Sequence, residues 1–236
     1  MKHTTLRQFL AALAVAATAL PAVAQQTERP PRPEFLSAMG LLETDRTEIR
    51  DAVSDLDVDQ PFALEVPRAE GVVVQDDPGP ARLFAVNFLT EDGVFIESLS
   101  ITGAEIEAED EDGRQFALAN LLVLRSFPAL RDVFPDAEIL AFGPAEFEGF
   151  DAVQMVGRFT EPQAGEILFR HVGLMKPDGT DALVAISNIR PAMMPVANDE
   201  QFADTYSGWT LGTLEFLAPG PDEETDDAPE DGTDTD

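Results

Sequence analysis

The stretch Phe147-Glu-Gly-Phe-Asp-Ala-Val-Gln-Met-Val-Gly-Arg-Phe159 decides the fold, because most of it has the pattern of a strand that is apolar on both faces. Its alternate apolar residues form two sets, with Val153, Met155 and Phe159 on one face and Phe150, Ala152 and Val156 on the other. Such a strand lies centrally in a sheet, with other elements packed on each face. The stretch is therefore predicted to build the core of a sheet before it serves any function.

The surrounding sequence supplies more strands of the same kind. Strands are predicted at 139–142, 150–159, 166–175 and 181–189, and upstream at 71–74, 82–88 and 93–101. The turns between them are short, which favours antiparallel pairing over parallel crossovers. The sequence thus predicts an α+β fold, with a single antiparallel sheet of about six to seven strands packed with helices.

Helices are predicted before, between and after the two groups of strands. The spacing of apolar residues predicts a short helix from Thr44 to Leu56. The main helix is predicted over Phe116–Leu124, apolar all round and buried against the sheet, and it continues over 126–134 with Pro128 in its first turn. A capped helix is predicted to start at Asn198, while 208–217 fits either a helix or a strand.

The ends of the chain differ in composition from its middle. Lys2 and Arg7 precede a short apolar run that ends in small residues, which predicts a signal peptide over 1–24, cleaved between Ala24 and Gln25. Residues 25–60 are predicted to hold a Pro-rich leader and the short helix, and 61–218 a single domain. The tail 219–236 has nine acidic residues and no basic ones, so we expect it to be disordered.

Charge and cysteine content exclude several classes of protein. The net charge of −30 disfavours nucleic-acid and anionic-membrane partners. The absence of cysteine excludes a lipid anchor on cysteine and a disulfide scaffold, and no run after the signal is long enough to span a membrane. Asp55, Asp57 and Asp59 alternate like the start of a calcium loop, but the glycine and final glutamate of that loop are missing.

The sequence carries no motif of a known catalytic machinery, whether nucleophile elbow, phosphate loop or zinc-binding pair of histidines. His171 is the only histidine after the signal, and it shares a strand face with Ile167, Phe169 and Met175. We expect it to be half-buried at a sheet edge or under a loop, with a role as base or ligand contact as the alternative. A catalytic pair of carboxylates stays an alternative, and no cofactor or metal is predicted.

Tyr206 and Trp209 are further candidates for recognition, as the only tyrosine and the only tryptophan of the chain. Aromatic residues anchor interfaces, although the neighbourhood of Leu211 favours a core position for Trp209. Together with His171, they are the weak binding candidates of the sequence.

Four stretches resemble the PsbP-like and DcrB-like α/β sandwich domains over about 61–217. They are Gly71–Val74 with the hairpin that follows, Phe147–Ala152, Gly173–Gly179 before Ala182–Ile186, and Leu211–Phe216. The resemblance implies a non-catalytic envelope or assembly factor that binds other proteins. The chain departs from the lipoprotein members of those families because it has no cysteine to carry a lipid.

The residues and the resemblance together predict a soluble exported protein, periplasmic or secreted, with an accessory or binding role and no catalytic activity. Its expected partner is another envelope protein or a small ligand. A periplasmic hydrolase that uses carboxylates is the alternative.

Overall fold

A large antiparallel sheet, a small sheet and two groups of helices make up the fold. The computed structural model describes residues 43–50, 61–78, 82–106, 108, 110–145, 147, 150–176 and 181–218. The signal peptide with Ala24 and Gln25, the Pro-rich leader, the calcium-like aspartates and the acidic tail lie outside the described residues, and these predictions remain predictions. No helix in the described ranges is both long and apolar enough to cross a membrane.

The large sheet has seven antiparallel strands in the spatial order β3-β4-β5-β9-β8-β7-β6. They are β3 (Val72–Val74), β4 (Phe84–Leu89), β5 (Phe95–Glu105), β6 (Glu138–Pro144), β7 (Asp151–Glu161), β8 (Gly165–Met175) and β9 (Asp181–Ile189). The predicted α+β class, hairpins and strand number are confirmed. As predicted, β7 is an inner strand of this sheet with apolar residues packed on both faces.

A second sheet of three strands was not predicted. It contains β1 (Thr44–Ile49), β2 (Phe62–Pro67) and β10 (Glu215–Phe216), with β2 in the middle. The prediction of a helix from Thr44 is therefore wrong for this stretch. This stretch is extended because β1 pairs with β2, and ion pairs of Arg46 with Glu215 and of Arg68 with Asp45 accompany the pairing. These contacts join residues far apart in sequence and override the local helical pattern.

One face of the large sheet, called here the helical face, carries a single helical segment. It consists of α1 (Glu111–Leu121), a π-helical turn (Leu122–Ser126) and α2 (Phe127–Val133). Asp110 caps α1 by accepting a hydrogen bond from the backbone N–H of Gly113 at 2.7 Å. The segment is not apolar and buried all round as predicted, because Leu124 and Val133 are 66% and 68% exposed.

The opposite face of the large sheet is covered by the small sheet and by two short helices. These are α3 (Asp199–Ala203), capped by Asn198 as predicted, and α4 (Tyr206–Gly212). The open choice for 208–217 is resolved into the end of α4 followed by β10. This side holds the larger apolar core, in which residues of β2, β4 and β5 pack together.

Candidate functional site

A groove lies on the helical face, because the helical segment covers only part of the sheet. The segment contacts β7 and β8, while neighbouring strands on the same face have less cover. Two adjoining cavities of about 650 and 500 Å³ fill the space between α2 and the strands β5 and β9. Both cavities are lined by Phe134, Phe159 and Asn188, so they form one continuous groove.

The floor of the groove combines polar residues with Val184 and Ile186, and its helical wall is apolar. Ser98, Ser100 and Thr102 alternate along β5 and point to the same face as Asn188 of β9. The wall is lined by Leu121, Leu130, Val133 and Phe134. An extended or amphipathic ligand would find hydrogen-bonding groups on one side and apolar surface on the other.

Three arginines line the groove, two at one end and one at the other. Arg82 precedes β4, Arg125 lies in the π-helical turn, and Arg190 follows β9. Their guanidinium groups form no ion pair with any described residue, whereas Arg114 and Arg158 elsewhere in the fold do form ion pairs. The groove also contains two acidic residues, Glu105 and Glu161.

His171 lies in the middle of β8 and beneath the helical segment, so the prediction of a half-buried edge position is wrong. Its side chain is 1% exposed, and its Nδ1 lies 2.7 Å from Oγ of Ser126. Burial lowers the pKa of His171 to about 4, so the imidazole is neutral near neutral pH. Its Nε2 is buried and has no hydrogen-bond partner among the described residues.

The π-helical turn is what places Ser126 above His171. Within this turn, the N–H of Phe127 donates to the carbonyl oxygen of Leu122, five residues back. Pro128 follows at once and has no N–H to donate to the preceding turn, which interrupts the regular helical ladder here. The sequence prediction used Pro128 only as a helix start and therefore missed Ser126.

The other two candidates from the sequence lie away from His171. The side chain of Tyr206 is buried on the opposite face of the sheet and stacks on Phe88, with ring centroids 5.1 Å apart. Trp209 is partly buried against the same core. The structure therefore does not bring the three candidates together in one site.

Glu97 is a second buried titratable group, and the sequence analysis did not single it out. It lies on β5 facing the core, fully buried, and its carboxylate accepts hydrogen bonds from the N–H of Tyr206 and from Oγ of Ser207. Burial raises the pKa of Glu97 to about 7. The signal available in the sequence was a lone glutamate on the strand face of Leu99 and Ile101.

Metal binding has no support in the part of the chain that the structure describes. No three histidine, aspartate or glutamate side chains in those ranges come together as a group that could hold a metal ion. The groove offers hydrogen bonds, apolar contact and positive charge, which are the means of non-covalent recognition.

Comparison with known proteins shows similarity of structure but not of sequence. No family model and no curated protein matches the chain. The yeast Ran-binding protein Mog1p matches with a TM-score of 0.43 and 10% identity, over 74% of this chain and 95% of its own. A PsbP from the cyanobacterium Synechocystis matches with a TM-score of 0.44 and 13% identity, over 75% and 94%.

A third match is LpqN of Mycobacterium tuberculosis, a protein described as involved in cell envelope biogenesis. It has a TM-score of 0.37 and 13% identity, over 67% of this chain and 85% of its own. PsbP is also one of the families that the sequence resembles. At these identities the likeness concerns the fold alone.

Proposed function

We propose that this protein is an exported accessory protein that binds a partner through the groove between α2 and the strands β5 and β9, and that it performs no chemistry. The observation that carries the proposal is the groove itself, a continuous concave surface with a partly polar floor, an apolar wall and arginines at its ends. Its two cavities fall within the size range of ligand sites, about 300 to 1,000 Å³.

The groove is rigid, because its floor and wall belong to regular secondary-structure elements. Ser98, Ser100 and Thr102 lie in a strand that is hydrogen bonded on both sides, to β4 and to β9. The wall is tied to the sheet through the hydrogen bond of Ser126 to His171. A rigid site loses little conformational entropy when a ligand binds.

The contact between Ser126 and His171 is the one observation that favours a hydrolase, although of a serine type and not the carboxylate type expected from the sequence. A serine hydroxyl on a histidine nitrogen is the first half of a nucleophile and base pair. Two features argue against that use. An imidazole whose pKa is about 4 is a weak base at neutral pH, and no described carboxylate contacts its Nε2.

Export to the periplasm or to the exterior is part of the proposal and rests on the sequence. Residues 1–24 have the charge pattern, apolar run and small-residue end of a signal peptide. The chain has no cysteine, and its net charge of −30 suits a soluble surface in a salty medium. These features favour an envelope protein or a small envelope ligand as the partner.

The groove is tested by affinity capture from a periplasmic extract with three forms of the chain. The forms are the unaltered protein, Thr102→Trp, which fills the groove floor, and Thr160→Trp as the matched control at an exposed position of β7. We expect a partner that is held by the unaltered and control forms and lost with Thr102→Trp. A partner held equally by all three forms would place recognition elsewhere and contradict the proposal.

The hydrolase alternative has its own test with p-nitrophenyl acetate as the probe. If the protein is a hydrolase built on the observed contact, it turns over this ester and Ser126→Ala abolishes the turnover. We expect no turnover by the unaltered protein, by Thr160→Trp or by Ser126→Ala. A rate that disappears only with Ser126→Ala would overturn the non-catalytic proposal.

A further inference from the structure

The arginines of the groove form no ion pair with any described residue although the chain is strongly acidic, and with Glu105 and Glu161 counted the lining still has one positive charge in excess. Carboxylates outnumber basic side chains by 45 to 15, and exposed arginines such as Arg46 and Arg68 have found acidic partners in the fold. Arg82, Arg125 and Arg190 form no ion pair with any described residue, yet all three line the groove. A surface of this kind attracts an anionic occupant.

The separation of the arginines indicates the form of that occupant. Arg82 lines the same cavity as Gly103 near one end of β5, and the backbone N–H of Arg190 donates to the carbonyl oxygen of Ile96 near the other end. Seven residues of strand separate those two positions, which corresponds to about 20 Å. A small anion cannot reach both ends, but an extended acidic segment of a polypeptide can.

We propose that the chain's own acidic tail, residues 219–236, occupies the groove. This inference rests on the groove assigned above as the binding site, and it makes the tail an internal competitor for the partner. Asp227, Asp231 and Asp234 span seven residues, which in an extended chain is again about 20 Å. The tail can therefore place carboxylates at both ends of the groove at once.

The tail begins at the end of the sheet where two of the arginines lie. The carbonyl oxygen of Leu217 accepts a hydrogen bond from Nζ of Lys176 at 3.3 Å, directly after the end of β8. Met175 pairs with Ala182, and Ala182 pairs with Ala104, so the Arg82 end of β5 is two strands away, about 10 Å. The eighteen tail residues extend to roughly 60 Å, enough to round the sheet and follow the groove.

The test places a spin label on the tail of the full chain. The protein has no cysteine, so Thr235→Cys gives a single nitroxide site without changing a tail charge. We expect the label to broaden the backbone amide signals of Ser100 and Val133 and to leave that of Thr47, on the small sheet, unchanged. Raising the salt to about 1 M should remove the broadening, since charges are then screened within about 3 Å.

Three sets of variants decide whether charge pairing in the groove is the cause. Arg82→Gln, Arg125→Gln and Arg190→Gln together should reduce the broadening at least threefold. The matched control, Arg46→Gln, Arg131→Gln and Arg158→Gln, makes the same change of net charge away from the groove and should leave the broadening intact. Asp227→Asn, Asp231→Asn and Asp234→Asn test the same pairing from the tail without touching the folded residues.

Broadening that is equal in both arginine triples, or that spreads over the whole surface, would overturn the proposal. The result is separate from the test of the groove as a partner site. A tail that stays out of the groove while Thr102→Trp still loses the partner refutes only this inference. A tail in the groove with a partner that Thr102→Trp does not affect refutes only the proposed function.

Discussion

The hydroxyl oxygen of Ser126 lies 2.7 Å from Nδ1 of His171, and this contact joins the helical segment to the middle of β8. The two residues are 45 positions apart in sequence. The imidazole is held neutral by burial, and its other nitrogen has no partner among the described residues. A buried neutral histidine makes the stability of the fold depend on pH in a direction that can be worked out.

Replacing His171 by glutamine should remove a loss of stability in acid. The folded-state pKa of about 4 lies below the unfolded value of about 6.5, so the unfolded chain takes up a proton first as the pH falls. The free energy of unfolding of the unaltered protein should therefore fall between pH 6.5 and 4, by up to roughly 3 kcal/mol relative to His171→Gln.

The measurement is urea unfolding of both proteins at pH 7, 5.5 and 4.5. Only the difference between the two proteins is used, because the exposed carboxylates titrate alike in both. A difference that stays constant over this range would show that the histidine is not held neutral by the fold.

The strands could be predicted because their signals are local. The alternation in β7 and turn glycines such as Gly93 and Gly165, both with positive φ, lie within a few residues of the strands they define. The strand β1 could not be predicted this way, since its sequence Thr-Asp-Arg-Thr-Glu-Ile becomes extended by pairing with β2.

The candidate site was less predictable than the fold for the same physical reason. His171 was recognised as a candidate, but its depth depends on a helical segment whose π-helical turn no periodicity signals. Arg82 and Arg190 are far apart in sequence and line one groove only because of the strand order, while Arg125 comes from the helical segment. Long-range pairing therefore decides the site, whereas short-range pattern decides the strands.

Replacing Glu97 by glutamine should reveal a pH dependence of the opposite sign. The folded-state pKa of about 7 lies above the unfolded value of 4.5, so the unfolded chain ionises first as the pH rises. The free energy of unfolding of the unaltered protein should fall between pH 4.5 and 7, by up to roughly 3 kcal/mol relative to Glu97→Gln, and then level off.

Thermal or urea unfolding of the pair at pH 5, 6, 7 and 8 checks this expectation. Ser207→Ala serves as a companion variant, because it removes the hydroxyl that donates to the carboxylate at 2.7 Å. This loss should raise the folded-state pKa and extend the decline to higher pH. A pair of curves that run parallel over the whole range would mean that Glu97 does not keep its proton in the fold.

Replacing Gly157 by alanine should destabilise the sheet between β6 and β8. A Cβ added at Gly157 would overlap the ring of Phe169 and the carbonyl oxygen of Glu138. Relief requires a backbone shift, and overpacking of this kind costs about 1 to 3 kcal/mol. The control is Gly143→Ala on the neighbouring strand β6, where an added Cβ meets no atom within 4 Å. Equal unfolding midpoints for the two variants would contradict the prediction.

Removing one partner of the Arg114–Asp151 ion pair should reduce the stability of the fold more than replacing both partners. It joins α1 to β7, and its side chains are only 14% and 13% exposed. Asp151→Asn leaves a largely buried guanidinium without its counter-charge, which should cost about 3 to 5 kcal/mol, while Arg114→Met with Asp151→Leu should cost less. Arg158→Met, which breaks the exposed pair with Glu138, is the control and should cost less than about 1 kcal/mol. If the double variant loses as much stability as Asp151→Asn alone, the prediction is contradicted, because removing both charges should cost less than leaving one buried without its partner.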